Sequence, residues 1–183
     1  MRSLSLPDPP LGDDEIRLRG WSSADVPALT AACRDPEIPR WTVVPAPYEE
    51  GHAREFIAGR DEDRATGREL SLAIVGHEGE LLGSIALAHI DWDDHRAEIG
   101  YWVAREARGR SVASRATKLL SRHAIETLGF ERLELLAHPE NEASLRVASK
   151  AGYTHEGLLR LYRRRRGVRE DLVMFSLLAS DVR

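Results

Sequence analysis

The chain has 183 residues and a formal net charge of −4, with 42% hydrophobic and 31% charged residues. This length fits a single globular domain with a buried core, and the negative charge disfavours a dedicated nucleic-acid-binding protein. No apolar run approaches the roughly 18 residues of a membrane span, and the single cysteine, Cys33, excludes an internal disulfide and fits a reducing cytoplasm.

The sequence of the N-terminal region predicts a flexible segment that precedes a single domain. Residues 1–14 contain three prolines and lack the apolar core of a signal peptide. We therefore expect a flexible arm there and one domain over residues 15–183. Apolar alternation over residues 15–20 predicts a short strand, and a serine after it is suited to cap a helix that ends near Cys33.

A proline-rich segment, residues 35–48, interrupts the regular pattern. Its four prolines predict a loop, and such a loop could bend over a pocket. Trp41 and Tyr48 either line that pocket or pack the loop against the domain, and the sequence leaves both interpretations open. Residues 49–64 carry apolar side chains at helical spacing and predict a helix.

The rest of the sequence predicts a mixed sheet. The predicted strands are 69–76, 80–90, 96–104, 131–138, 153–162 and 168–178, and the predicted helices are 108–129 and 141–152. Antiparallel strands come first, and a strand–helix–strand unit, which requires a parallel crossover, follows them. We predict an α/β (α+β) sheet of about seven strands with flanking helices. Four arginines at 163–166 predict a solvated hairpin turn, with contacts to an acidic partner, RNA or a phosphate as alternatives.

The stretch Tyr101–Ser114, YWVAREARGRSVAS, joins a predicted strand to the longest predicted helix through an arginine-rich turn. The first N–H groups of a helix have no internal partner, and the helix dipole adds about half a positive charge there. A phosphate fits such an end, and Arg108 and Arg110 add formal charge to it. Small residues after Gly109 let an anion approach the backbone. An ordinary helix start with solvated arginines is the alternative interpretation.

A second stretch, residues 138–157, reads HPENEASLRVASKAGYTHEG and contains a helix start with Asn141 as its cap and Ser144 one turn later. RGRSVAS, followed about 30 residues later by NEAS and SKAGY, resembles the GNAT superfamily of N-acetyltransferases. IGYWV and the final DLVMFSLL make the chain similar to its RimJ/RimL-type branch, which acetylates protein N-termini and small amines. The resemblance covers roughly residues 15–180.

The resemblance implies a centrally split sheet and an acyl-CoA-dependent N-acyltransferase that moves acetyl from acetyl-CoA directly to a primary amine. The amine would belong to a protein N-terminus or to a small molecule. A succinyl-CoA donor and a CoA-binding module with weak catalysis are the alternatives, and the family also suggests a homodimer. The residues that match the family's cofactor site are Tyr101, Trp102, Val103, Arg108, Gly109, Arg110, Ser111, Val112, Ala113, Ser114, Asn141 and Ser144. Ser111 stands where the family usually has glycine, which puts close approach of an anion in question.

Acyl transfer to an amine requires a group that accepts the amine proton and a group that donates to the leaving thiolate. Glu98, in the strand before the turn, is the first candidate base, and His138 is the second. Ser144 is the candidate donor. A paired strand carboxylate, a strand-end histidine and a helix cap are their structural alternatives. The expected acceptor-binding residues are Trp41, Tyr48 and Trp92. No histidine or acid spacing indicates a metal site, so no metal is expected.

Overall fold

The computed structural model describes residues 2–182 as an eight-stranded mixed sheet with helices packed on it. The strands are β1 (Leu11–Gly12), β2 (Arg17–Arg19), β3 (Leu70–Val75), β4 (Leu81–Asp91), β5 (Arg96–Val103), β6 (Arg132–Ala137), β7 (Thr154–Arg165) and β8 (Val168–Leu178). The helices are α1 (Val26–Cys33), α2 (Glu37–Trp41), α3 (Glu50–Ala65), α4 (Val112–Glu126) and α5 (Glu142–Lys150). Across residues 2–182, no helix is long and apolar enough to span a bilayer.

The sheet opens near its middle, in the strand order β1-β2-β3-β4-β5-β6-β8-β7. The parallel strands β5 and β6 pair only through Arg96–Glu98 and Arg132–Glu134. However, β5 continues to Val103 and β6 to Ala137, so a gap separates the two strands beyond their paired residues. This confirms the predicted mixed sheet and the central split, with one strand more than the predicted number.

Two apolar clusters pack on the sheet. In the larger cluster, α4 presents the buried side chains of Ala116, Leu120 and Ala124, which lie at the spacing of one helical stripe. In the smaller cluster, Leu29 of α1 and Ala53 of α3 are buried, and Trp102 of β5 packs against them. Because side chains alternate along a strand, β5 supports α4 with one face and meets the α1–α3 layer with the other.

The structure differs from the prediction of a flexible arm over residues 1–14. The side chain of Leu4 is 3% exposed, and its N–H donates to the carbonyl of Arg64 at 2.9 Å. Leu11–Gly12 pairs with β2, and Arg115 of α4 donates to the Asp13 carboxylate at 2.8 Å. The prolines limit strand pairing, but one apolar side chain and one ion pair are enough to hold the segment on the domain.

The proline-rich segment contains a helix where the sequence analysis predicted only a loop. This helix, α2, begins directly after Pro36, and Pro39 is its third residue. The first N–H groups of a helix have no internal partner, so the missing N–H of a proline costs little at these positions. α2 therefore forms despite the prolines and ends at Trp41.

The prediction of a solvated turn at the arginine run 163–166 was wrong. Strand β7 extends to Arg165, and Arg166 with Gly167 makes the turn to β8. Because side chains alternate along a strand, Arg163 and Arg165 point to the same side, and both are partly buried. Arg163 and Arg165 are therefore partly covered by the domain, and Arg164 and Arg166 are exposed to solvent.

β7 also carries a bulge at Arg160–Tyr162, which lies opposite the single residue Asp171 of β8. Leu161 has a φ of 49°, in the left-handed region that bulky residues rarely adopt. Its N–H donates to the Asp171 carboxylate at 2.7 Å, and Arg169 donates to the carbonyls of Leu161 and Tyr162 at 3.1 and 3.3 Å. These contacts hold the bulge in a conformation that leaves Leu161 61% exposed.

Candidate active site

A cavity of about 640 Å³ opens where β5 and β6 part. Its floor consists of small residues on the central strands, namely Ser71, Ser84, Ala86, Ala88 and Gly100. A Cβ atom built on Gly100 would meet no atom within 4 Å, so the floor is open at that position. The walls come from the start of α4, from α5, from the segment around α2 and from β7 and β8. The cavity therefore touches both halves of the split sheet.

The start of α4 presents free backbone donors to this cavity. Within residues 2–182, the N–H groups of Val112, Ala113 and Ser114 have no backbone or side-chain acceptor, and the cap residue Ser111 makes no capping hydrogen bond. Gly109, in the turn before the helix, has a φ of 78° and open space around its Cα. Unpartnered N–H groups at the positive end of a long helix, beside a glycine turn, fit a pyrophosphate.

Ser111 itself occupies a backbone conformation that favours glycine. Its φ is 61° and its ψ is 12°, in the left-handed region. A non-glycine residue in this region costs about 1–2 kcal/mol. The glycine that the sequence resemblance leads one to expect at this position therefore has a physical reason, and serine keeps the same turn under strain.

The two arginines of the predicted phosphate turn differ, because Arg108 lines the cavity but is bound within the chain and Arg110 lies outside the cavity. Arg108 Nη2 lies 2.6 Å from Asp35 Oδ2, an ion pair whose angles fall outside those of a hydrogen bond, and its Nε donates to the carbonyl of Val103 at 3.2 Å. Arg110 is exposed and does not line the cavity. The backbone of this turn therefore faces the cavity more directly than its positive side chains do.

Residues 35–47, which we call the cover segment, lie over the other end of the cavity. Arg165 of β7 donates to the carbonyl of Pro39 at 3.4 Å and contacts the next carbonyl as well. Arg166 donates to the carbonyl of Val44 at 3.1 Å. The cover segment is thus held by the β7–β8 hairpin at one end and by the Asp35 ion pair at the other.

A pair of hydroxyl groups lies inside the cavity. Tyr101 of β5 and Ser144 of α5 approach to 2.7 Å between their oxygens, and either hydroxyl can donate. Asn141 holds the start of α5, since its Oδ1 accepts the N–H of Ser144 at 3.2 Å. Burial raises the pKa of Tyr101 to about 12, although the hydrogen bond from Ser144 acts in the opposite direction. Tyr101 is therefore protonated throughout the neutral range.

Tyr153, the other tyrosine that the sequence places near this helix, has a structural position. It is 5% exposed, and its hydroxyl lies 2.7 Å from Ser121 Oγ inside the main cluster. Burial raises its pKa. Tyr101 rather than Tyr153 is therefore the tyrosine beside Ser144.

Glu98 lines the cavity and is bound by an arginine. Arg163 of β7 donates to both carboxylate oxygens of Glu98, at 3.1 and 2.6 Å. The side chain of Glu98 is 13% exposed, and the imidazole Nε2 of His89 lies 3.9 Å from one of its oxygens. Hydrogen bonds to Glu98 are the main cause of the raised pKa of Arg163. This ion pair connects β7 with β5 across the intervening strands.

His138 and Trp41 meet at the rim of the cavity, with their ring centroids 5.5 Å apart. The N–H of Glu140 donates to His138 Nδ1 at 3.2 Å, so in the neutral ring the proton lies on Nε2. The single available lone pair of neutral His138 is thus already engaged, whereas each carboxylate oxygen of Glu98 has a second lone pair besides the one that Arg163 binds, which favours Glu98 as the base.

Two predicted acceptor residues do not reach the cavity. Tyr48 is 7% exposed in the smaller apolar cluster. Trp92 lies after the far end of β4, where its Nε1 donates to the carbonyl of Gly67 at 3.0 Å and its ring packs 5.1 Å from Phe130. Both aromatic rings are packing residues, and of the predicted acceptor residues only Trp41 lines the cavity.

The sequence analysis missed three further carboxylates that line the cavity, Glu37, Glu69 and Glu170, and of these Glu69 is the one whose pKa is raised. Burial raises its pKa, although Arg60, whose Nη1 lies 2.6 Å from Glu69 Oε1, acts in the opposite direction. Glu69 precedes β3 by one residue, and the alternation ELSL places it on the same face as Ser71, which also lines the floor. That alternation is the signal that could have identified it.

Neither the cysteine nor a metal cluster adds reactive groups. Burial raises the pKa of Cys33 to about 12, so its thiol is neutral and inert. Among residues 2–182, no group of three or more histidine, cysteine, aspartate or glutamate side chains could hold a metal ion.

Comparison with known proteins gives a consistent result. The family model described as Acetyltransferase (GNAT) domain matches residues 15–154. The uncharacterized N-acetyltransferase p20 of Bacillus licheniformis is 30% identical over 92% of this chain and 95% of its own length. The ribosomal-protein-serine acetyltransferase of Escherichia coli strain K12 is 31% identical, over 45% of this chain and 46% of its own length. Mycobacterium smegmatis RimJ, solved in complex with CoA-disulfide, superposes with a TM-score of 0.82 at 23% identity, over 91% of this chain and 83% of RimJ.

Proposed function

The chain belongs to the GNAT family of acetyl-CoA-dependent N-acetyltransferases, and on that premise we propose that it acetylates the N-terminal amine of a protein. The observation that carries this proposal is one continuous cavity. It has free helix N–H donors at one end, the Tyr101–Ser144 hydroxyl pair in the middle and the Glu98–Arg163 ion pair at the other end. Relatives that carry the names of ribosomal-protein acetyltransferases support a protein acceptor.

The donor fits the half of the cavity next to α4. The N–H groups of Val112–Ser114 and the turn at Gly109 would hold the pyrophosphate. The edge of β5 that the split leaves free, next to Tyr101, would pair with the pantetheine arm. Acetyl-CoA supplies an acyl group activated by a thiolate leaving group.

Other residues of the cavity would accept and donate the protons that move during the transfer. A bond forms between the acceptor nitrogen and the acyl carbon, the carbon–sulfur bond breaks, and one proton leaves the nitrogen while the sulfur gains one. Glu98, held in place by Arg163, accepts the amine proton directly or through a water molecule. The Tyr101–Ser144 pair donates a hydrogen bond or a proton at the sulfur. Either hydroxyl can donate, and burial keeps the hydroxyl of Tyr101 protonated.

The proposal is tested by following thiol release from acetyl-CoA with three classes of acceptor. These are peptides with a free N-terminus, the same peptides with a blocked N-terminus, and a polyamine. We expect turnover with the free peptides alone. Turnover with the polyamine alone would mean that the acceptor is a small amine and not a protein N-terminus. CoA binding measured by calorimetry without any turnover would instead indicate a binding module, and a parallel titration with succinyl-CoA tests the alternative donor.

A further inference from the structure

The outer side of β7 carries an apolar and basic surface that the proposed chemistry does not use. It is centred on the bulge at Arg160–Tyr162 and extends to the turn before β8. We call it the bulge surface. Its exposed apolar residues are Leu158, Leu161, Tyr162 and Val168, and its exposed arginines are Arg160, Arg164, Arg166 and Arg169.

The arginines of this surface outnumber the carboxylates beside them, which are Asp171 at the bulge and Glu170 near Arg166. None of its four arginines forms an ion pair with a carboxylate of residues 2–182; Arg164, Arg166 and Arg169 donate to backbone carbonyls instead. On the same strand, the inward-facing Arg163 and Arg165 are each bound by a glutamate. A local excess of positive charge on a chain with a net charge of −4 provides complementarity for an acidic partner.

The bulge exposes apolar side chains in a conformation that requires support. A leucine in the left-handed region is strained, and Asp171 and Arg169 both hold it there. The result is that Leu161 and Tyr162 project from an edge strand, 61% and 46% exposed. A bulge also discourages pairing of a further strand along this edge. Docking at this surface would therefore use side chains rather than added backbone pairing.

The bulge surface approaches the rim of the cavity at the turn before β8. Arg163 lines the cavity, and the side chain of Arg164 points to the opposite face of β7, which is the edge strand of the sheet. Arg166 donates to the carbonyl of Val44 in the cover segment, and Val43 beside it is 85% exposed and also lines the cavity. A chain that leaves the cavity at this rim reaches the bulge surface by crossing the edge of β7.

We propose that the bulge surface docks an acidic stretch of the acceptor protein that lies downstream of the amine in the cavity. This inference rests on the proposed function. An extended chain advances about 3.3 Å per residue, so acidic residues about four to eight positions after the N-terminus reach the surface. Leucine and valine beside arginine suit an acidic peptide with apolar anchors. RNA would need several aromatic faces for base stacking, and Tyr162 is the aromatic residue among those exposed here.

The test uses the full chain and two synthetic 15-residue peptides with the same N-terminal serine. One carries aspartates and a leucine at positions 5–9, and the other carries glutamines at the aspartate positions. An N-terminal tripeptide serves as an acceptor that is too short to reach the surface. The variants are Arg160→Glu with Arg164→Glu, and separately Leu161→Asn, since asparagine tolerates positive φ and keeps the bulge. Arg17→Glu, on an exposed arginine of β2 near the opposite edge of the sheet, is the charge-matched control.

We expect the acidic peptide to have a KM about tenfold lower than the neutral one at low salt, and the advantage to shrink as salt rises. The double reversal should remove this advantage with kcat unchanged, and it should leave the tripeptide kinetics as they were. Equal KM values for the two peptides, or equal losses with the Arg17→Glu control, would overturn the proposal. So would tight binding of a single-stranded RNA that competes with the acidic peptide, or concentration-dependent self-association that Leu161→Asn abolishes.

Direct binding of the labelled acidic peptide, measured by fluorescence anisotropy, separates this inference from the proposed function. Binding that depends on Arg160 and Arg164 supports docking even if the peptide is not acetylated, and the proposed function would then fail alone. Acetylation of both peptides without a charge preference supports the proposed function and overturns docking.

Discussion

Two arginine-rich segments border the cavity, and they work in opposite ways. In the turn at Arg108–Ser111, the side chains point away or bind the cover segment, and the backbone N–H groups of α4 face the cavity. In the run at 163–166, the backbone belongs to a strand and its turn, and the side chains of Arg163 and Arg165 face inward. Similar composition therefore leads to an anion site built from backbone in one place and to carboxylate clamps built from side chains in the other.

The difference follows from the secondary structure around each segment. A helix start leaves N–H groups without partners, so positive charge on nearby side chains is an addition and not a requirement. A strand in a sheet uses its N–H groups in the ladder, so only its side chains are available to a site. Arginine density alone does not reveal which of the two cases applies.

The largest effect on activity should come from breaking the Glu98–Arg163 ion pair. Arg163→Ala leaves Glu98 without its partner, and we expect kcat to fall about 100-fold because the base loses its position. The stability cost should be about 2 kcal/mol, less than for a fully buried pair, since the arginine is 35% exposed. CoA affinity from calorimetry should stay unchanged.

Glu98→Gln should match the loss in kcat, and Arg164→Ala, one residue along and exposed, should leave tripeptide acetylation intact. Full activity of Glu98→Gln would remove Glu98 from the mechanism, and full activity of Arg163→Ala would show that its base does not need the arginine.

The next effect concerns the hydroxyl pair between the two segments. Ser144→Ala and Tyr101→Phe should each lower kcat by about tenfold to 100-fold, with little change in CoA affinity. An ordinary tyrosine would begin to deprotonate above about pH 9. Tyr101, whose pKa burial raises to about 12, keeps its proton well above that pH. The rate of the intact enzyme should therefore show no tyrosine-dependent decline up to about pH 10.5. A decline near pH 9.5 that Tyr101→Phe abolishes would contradict this assignment.

The contribution of the Arg108–Ser111 backbone to CoA binding can be compared with that of the Arg108 side chain. Gly109→Ala forces a Cβ into a backbone with φ of 78°, at a cost of about 1–2 kcal/mol. Because the turn must shift to relieve this strain, CoA should bind about tenfold more weakly. Arg108→Ala should change CoA affinity by less than about threefold, since its guanidinium is bound to Asp35. A larger loss from Arg108→Ala than from Gly109→Ala would reverse the comparison.

The smallest effect is expected at Ser111. Ser111→Gly relieves the left-handed strain but makes the unfolded chain more flexible, so the net gain in stability should stay under about 1 kcal/mol. That corresponds to a rise in Tm of about 2–3 °C for a domain of this size. CoA affinity should rise slightly as the anion approaches the backbone more closely. Ser114→Gly, within α4, is the control and should lower Tm. A fall in Tm for Ser111→Gly would mean that the serine is not strained.

The features that sequence could predict are local in the chain. The Asn141–Ser144 cap follows from residue types within one turn and occurs as predicted, whereas α4 begins at Val112, four residues after its predicted start. The Glu98–Arg163 pair joins residues 65 positions apart, and Tyr101 meets Ser144 across 43 positions. No periodicity encodes such contacts.

The aromatic residues show the same limit. Trp41, Tyr48 and Trp92 are alike in sequence. Tyr48 is buried in the smaller cluster, and Trp92, which is partly buried like Trp41, is kept from the cavity by its contacts with Gly67 and Phe130. The arginine run was read as a turn because charge suggested solvent. The strand register that turns alternate arginines inward depends on pairing with β8, which charge does not reveal.

The split sheet has a further consequence for the exchange of amide hydrogens with solvent. Along β5, alternate N–H groups point to β4 and to the side of β6. Past Glu98, the first set stays in the ladder with β4, but the second set faces the gap. Deuterium uptake should therefore alternate between slow and fast from Ile99 to Val103, in a strand that is otherwise protected along its whole length.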